Sequence, residues 1–232
     1  MTHEFDKDYW ETHWQRAEAH DALAASPYLS RELGDLAPGS ALDAGCGEGA
    51  EAIWLAAAGW RVTAADISSE ALARAAARER ESPAAHRVHW LQADLSVWEP
   101  ADRFDLVMTH YAHPAMAQLE FYERIATWVA PGGTLLIVGH RQAADEHAPG
   151  HGHTHGHGHG HDHGHDHGHT HDHDRDSDVR ARASVTAATV SATFDVAQWE
   201  IVTAVEPNRT VTNRDGHQNR LDDVVVRAVR RG

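Results

Sequence analysis

Asp43, Gly45, Cys46, Gly47 and Gly49 fall within the run Leu42-Asp43-Ala44-Gly45-Cys46-Gly47-Glu48-Gly49-Ala50, where three glycines and two carboxylates share one turn. Glycines at that spacing let a backbone bend sharply and approach a ligand that any Cβ would hold away. A helix that starts at the bend aims free N–H groups at the same ligand. The Asp43 carboxylate then selects among ligands. It would repel a dinucleotide pyrophosphate and attract the ammonium and sulfonium of S-adenosylmethionine. Gly45, Gly47 and Ala50 also satisfy the looser Gly-x-Gly-x-x-Gly/Ala fingerprint, so an NAD-dependent oxidoreductase is the competing reading. A strand-to-helix turn without any nucleotide is the plain one.

Two more acids follow apolar runs. Asp66 comes after Arg61-Val62-Thr63-Ala64-Ala65, about twenty residues beyond the loop, where an acid accepts hydrogen bonds from ribose hydroxyls. Ile67 follows it and could cover one adenine face. Asp94, with Leu95 after it, ends the run Arg87–Ala93, and a carboxylate there can accept the adenine amino group. Taken alone, each acid could also be a solvated turn residue or a helix cap.

The elements needed to hold these residues follow in order. Ala50, Ile53, Trp54 and Ala57 fall on one helical face, with Gly59 as a stop, and a helix over Ser69–Arg80 has Pro83 behind it as a breaker. Phe104–Met108 and Thr134–Val138 are short apolar runs of the kind buried on both faces of a parallel sheet. Trp199-Ile201-Val202 and Val224-Val225-Val226 suggest a terminal hairpin joined by a polar loop, Glu206–Asp223. Strands alternating with helices predict an α/β fold.

On these segments, together with Pro131-Gly132-Gly133-Thr134-Leu135-Leu136, the chain resembles the class I S-adenosylmethionine-dependent methyltransferases. The resemblance covers roughly residues 5 to 145 and the last forty. It implies a Rossmann-like single domain over residues 1–232: a seven-stranded sheet, mostly parallel, with one antiparallel strand near the C-terminus and helices on both faces. It also implies roles. The loop glycines and Asp43 would contact the methionine part, Asp66 the ribose and Asp94 the adenine.

On the acceptor side, methyl transfer from a sulfonium needs positioning, desolvation and sometimes a base. His110, Tyr111 and His113, after the fourth strand, are the candidates, with His110 first; His140 and Arg141 follow the fifth. Cys46 is the only cysteine and reads as a small loop residue rather than a nucleophile. Near the N-terminus, Tyr9, Trp10, His13 and Trp14 are spaced as a helical packing face. Tyr9-Trp10 and Trp14 also look similar to the thiopurine and tellurite-resistance type of small-molecule methyltransferase, in which a leading helix closes over cofactor and substrate. That likeness implies a small, polarizable acceptor.

The formal charge of −15, with Lys7 the only lysine, argues against a nucleic-acid substrate, because phosphate binding needs a basic surface. Residues after Thr109 lack the Asn/Asp-Pro-Pro-aromatic signature of amino-directed DNA enzymes. No apolar window reaches the length of a membrane span and no basic leader opens the chain, so the expectation is a soluble, cytoplasmic protein without a membrane partner.

A further feature sets this chain apart. His151, His153, His155, His157, His159, His161, His163, His165, His167, His169, His171 and His173 alternate with Gly, Asp or Thr. Without apolar residues the segment cannot offset its ordering entropy, which predicts a disordered His-rich insert, residues 147–178, after the fifth strand. Neutral imidazoles flanked by carboxylates suit Ni²⁺, Zn²⁺, Cu²⁺ or Co²⁺, several ions per chain. Because the insert leaves the sheet edge where ligands bind, metal binding could alter access to the cofactor. A metal carrier or sensor on the same fold, and a low-complexity tract with incidental affinity, are the alternatives.

Overall fold

The computed structural model describes residues 5–16, 24–82, 87–141, 185–212 and 218–232. The elements run α1 (Lys7–Arg16), α2 (Tyr28–Leu33), β1 (Ser40–Ala44), α3 (Ala50–Ala57), β2 (Arg61–Asp66), α4 (Ser69–Arg80), β3 (Val88–Gln92) and β4 (Phe104–His110). Then come α5 (Gln118–Ala126), β5 (Val129–His140), α6 (Ala187–Ala192), β6 (Trp199–Val205), β7 (Asn208–Thr212) and β8 (Gln218–Arg230). The His-rich tract and the expected insert lie outside the described residues.

One sheet organises the chain, in the order β3-β2-β1-β4-β5-β8-β6. Pairings from β3 through β5 are parallel, and β8 runs antiparallel between β5 and β6. Side-chain alternation splits the strands between two cores. Leu42, Val107, Leu135, Ile137, Val224 and Val226 face Phe121, Ile125 and Val190 of α5 and α6. Ala41, Leu106, Leu136, Val138 and Val225 face Leu29, Leu55 and Leu72 of α2, α3 and α4. Neighbours in sequence thus reach opposite faces, which is why these runs read as continuously apolar.

The strand count departs from the expected seven. The polar stretch Glu206–Asp223 contains β7, which pairs antiparallel with the first half of β8, from Asn208 opposite Asp222 to Thr212 opposite Gln218. β8 is thirteen residues long and outruns the edge of the main sheet, so its polar first half still finds a ladder partner. The buried face of α3 also differs from the expected one. Ala52, Leu55 and Ala56 are buried, whereas Ile53 and Trp54 are half-buried and Ala57 is exposed. Both sets satisfy helical spacing, and the small alanines allow the helix to sit close on β2.

The sheet order reverses between β1 and β4, and helices leave these two strands to opposite faces. Ligands in open α/β sheets bind at the carboxyl ends of strands beside such a reversal. Thr109 Oγ1 donates to the Ala44 carbonyl at 2.8 Å and ties the two ends together there.

Candidate active site

The glycine loop is shaped by backbone rather than by side chains. Gly45, Gly47 and Gly49 have φ of 80, 50 and 74°, and the Gly45 and Cys46 N–H groups donate to the Ala65 carbonyl at 2.8 and 3.1 Å. A Cβ on Gly45 would lie 2.3 Å from the Ala112 Cβ, and one on Gly49 would lie 2.3 Å from the Trp90 ring. Neither position has room for a side chain.

Asp66, the last residue of β2, holds this loop across the strand gap. Its Oδ2 accepts from the Gly47 N–H at 2.8 Å and its Oδ1 from the Ser68 N–H at 2.9 Å. Burial raises its pKa against the lowering effect of those donors. Asp94 follows β3 and accepts from the Ser96 N–H and hydroxyl at 2.9 and 2.6 Å. Arg124 of α5 clamps that turn through the carbonyls of Leu95 and Trp98, each at 2.8 Å.

Asp43 is the exception. It is 1% exposed at the end of β1, and its Oδ2 has no hydrogen-bond partner. Burial first, then the Glu51 and Asp66 charges, push its pKa well above the ordinary carboxylate range. A buried carboxylate oxygen without a donor is costly unless a ligand supplies one. Together with the bare glycine cradle, it fits the cationic methionine end of S-adenosylmethionine.

A cavity of about 310 Å³ joins these groups. Asp43, Gly45, Cys46, Gly47, Gly49, Asp66, Ile67, Asp94 and Leu95 line it, as do His110, Tyr111 and His113. Cys46 is buried, and desolvation raises its thiol pKa well above the usual value, which leaves it inert.

His110 closes β4, and neither of its ring nitrogens has a partner. Burial lowers its pKa, so the ring is neutral near pH 7. Tyr111 adopts φ 54°, unusual for a residue with a Cβ, and its hydroxyl accepts from Arg209 at 3.1 Å. Burial raises the phenol pKa, so it is no base. The His113 ring stacks on His140, with centroids 5.5 Å apart, and His140 lies 4.8 Å from the Tyr111 ring. His140 and Arg141 stand outside the cavity lining. Arg141 pairs with Asp222, and Val185 donates its N–H to the His140 carbonyl at 3.0 Å. Arg141 and Val185 therefore lie side by side next to His140.

Glu48, Arg78 and Phe5 had no expected role at the site, and they too line the cavity. Glu48 is buried and paired with both Arg74 and Arg78 of α4 at 3.2 and 3.0 Å, and Arg78 reaches the cavity wall. Phe5, Trp10 and Trp14 also line the cavity. The spacing of Trp10 and Trp14 suggested a packing face and their likeness to the thiopurine and tellurite-resistance type a helix over cofactor and substrate; α1 has no buried residue and both rings line the pocket. Trp10 Nε1 donates to the His113 carbonyl at 3.2 Å. No local signal marks a contact 103 residues away in sequence.

Residues 41–133 match the methyltransferase domain family. That match takes in the glycine loop and the acids Asp43, Asp66 and Asp94. The chain is similar to a probable thiol methyltransferase of Arabidopsis thaliana, 31% identical over 55% of the chain and 59% of that protein. It is also similar to the trans-aconitate 2-methyltransferase of Streptomyces avermitilis, 34% identical over 50% of the chain and 42% of that protein. The chain thus spans about half the length of these curated relatives. Its fold matches the N-methyltransferase NodS of Bradyrhizobium japonicum in complex with S-adenosyl-L-homocysteine, with a TM-score of 0.60 at 19% identity, over 95% of this chain and 97% of that one. Among the described residues, no three metal-ligating side chains converge, and no helix is long and apolar enough to cross a membrane.

Proposed function

We propose that this protein transfers a methyl group from S-adenosylmethionine to a small uncharged acceptor, with a thiol as the leading class. One observation carries the reading: the unpartnered oxygen of Asp43 and the unpartnered ring of His110 line the same cavity. When bound, the cofactor supplies an electrophilic methyl group on a sulfonium, whose sulfur departs with the bonding pair as a neutral thioether. Asp43 and the glycine loop orient the methionine end, and Asp66 and Asp94 stand where the ribose and adenine would be recognised.

His110 is the proton acceptor in this scheme. Its neutral imidazole takes the proton from the acceptor's S–H, leaving a thiolate to form the new S–C bond. Phe5, Trp10 and Trp14 make the site dry and polarizable, which favours a soft nucleophile. The relatives include a probable thiol methyltransferase and a trans-aconitate 2-methyltransferase. The wall favours the thiol: among the described lining residues Arg78 is the one guanidinium, and it is paired with Glu48. Turnover of labelled S-adenosylmethionine over matched panels of thiols, amines and carboxylates tests this. Preference for carboxylates would overturn the acceptor class, and binding of NAD in place of S-adenosylhomocysteine would overturn the cofactor.

We also propose that the His151–His173 tract binds divalent Ni, Zn, Cu or Co, more than one ion per chain, in interchangeable imidazole sets. Its composition supports this reading. Titration calorimetry of the full chain should show several ions of moderate affinity, lost on deleting residues 147–174. No binding, or one tight octahedral site, would contradict it.

A further inference from the structure

Glu11 is the one charged residue of α1 that reaches across to the rest of the domain through its side chain in several places at once. Its Oε2 accepts from the Ser68 hydroxyl at 2.8 Å and the Glu70 N–H at 3.2 Å. Its Oε1 accepts from the Ser69 N–H at 2.9 Å and the Ser69 hydroxyl at 2.6 Å. The first turn of α4 therefore directs free N–H groups and its positive dipole end at a carboxylate from another helix. Ser68 completes a relay. It caps α4 through its own Oγ at 3.2 Å from the Ala71 nitrogen, and its N–H donates to Asp66 at 2.9 Å.

Other attachments of α1 include a ring contact of Trp10 with His113. Trp10 Nε1 reaches the His113 carbonyl, Arg74 reaches the Trp14 carbonyl, and no residue of the helix is buried. Without a buried apolar stripe, the helix depends on polar contacts for its place. That place matters, because the Trp14 ring lies against Gly47, where an added Cβ would be 3.2 Å away.

We infer that Glu11 is a positioning residue for the cofactor pocket: by joining α1 to the start of α4, next to Asp66, it sets Trp10 and Trp14 as walls of the cavity. The inference rests on the methyl-transfer reading for its functional consequence, and on geometry alone for the seating of α1. Ligand that engages Asp66 and the glycine loop then meets a wall already in place, and its affinity reflects that preorganisation.

The test uses the full chain with S-adenosylhomocysteine as probe. Glu11→Ala should weaken binding about tenfold, the scale of losing charge-assisted hydrogen bonds at a helix start, and Glu11→Gln, which keeps one acceptor oxygen, should weaken it less. The KM for S-adenosylmethionine should rise while kcat at saturation stays near that of the parent, and Asp8→Asn, on the exposed side of α1, should match the parent. In a Trp14→Ala background, Glu11→Ala should add little, because both losses act through one wall. Additive losses, or unchanged affinity in Glu11→Ala, would overturn the inference. A separate readout needs no cofactor: Glu11→Ala should raise acrylamide quenching of tryptophan emission in the free protein. Unchanged quenching sinks the seating of α1. Raised quenching in Glu11→Ala, with a parent that binds no S-adenosylhomocysteine, sinks the methyl-transfer reading instead.

Discussion

The Asp66 carboxylate accepts a hydrogen bond from the Gly47 N–H at 2.8 Å, so the acid ending one strand holds the loop that ends its neighbour. The cradle and the acid are therefore one unit. Breaking either should disturb both.

Gly49→Ala tests the cradle. The new Cβ would need φ near 74° and would meet the Trp90 ring at 2.3 Å. A destabilisation of about 2 kcal/mol or more is expected, with loss of S-adenosylhomocysteine binding. Urea unfolding and calorimetry measure the two effects separately.

Asp43→Asn separates stability from affinity. Because the folded pKa of Asp43 lies above its ordinary value of 3.8, the protonated form is the one favoured by folding. Its contribution to stability is full below 3.8 and is lost as pH rises through the raised value. The ligand-free variant should thus be more stable than the parent near pH 7, and should lose that part of the pH slope. Cofactor affinity should fall by roughly 10- to 100-fold, since a charged acceptor becomes neutral. A variant that binds as well as the parent would remove Asp43 from the site.

His110→Ala tests the base. A loss in kcat of about 100-fold or more is expected with cofactor affinity nearly unchanged. In the parent, burial holds the imidazole below 6.5, so the rate should be flat near pH 7 and fall only on the acid side of 6.5. The variant should lack that limb. An acid limb that persists in His110→Ala would assign the base elsewhere.

Arg209→Ala tests the support behind Tyr111. Asp223 has no exposure and accepts from Arg209 Nε at 2.7 Å and from the Tyr28 hydroxyl at 2.8 Å; burial first, then this contact, push the Tyr28 phenol up to about 12. Removing the guanidinium leaves a buried carboxylate short of its counter-charge and should cost about 3 kcal/mol. Thermal unfolding checks this, and Arg209→Ala with Asp223→Asn should recover part of the loss.

Much of the site was legible because its signals are local. The glycine run, the acids at or just after the ends of β1, β2 and β3, and His110 with its neighbours occupy positions that chain periodicity alone places at one sheet edge. What is read locally is which residues stand together on that edge. Their charge states are not local: the orphaned oxygen of Asp43 and the lowered pKa of His110 depend on what surrounds them.

From the amino-acid order alone come the α/β alternation, the glycine cradle with its acids, and the imidazole tract, since each is set by spacing along a few residues. Tertiary structure decided between the two expected roles of α1 in favour of a pocket wall, and it alone showed that Glu11 grips α4, that Arg209 on the unforeseen strand β7 holds Tyr111, and that Glu48 takes up Arg78. These contacts join residues from 30 to 103 positions apart, and the Glu11 grip spans 57 to 59. No short-range propensity encodes such a pairing. It exists only once the sheet has brought the distant segments together and burial has made their polar groups depend on one another.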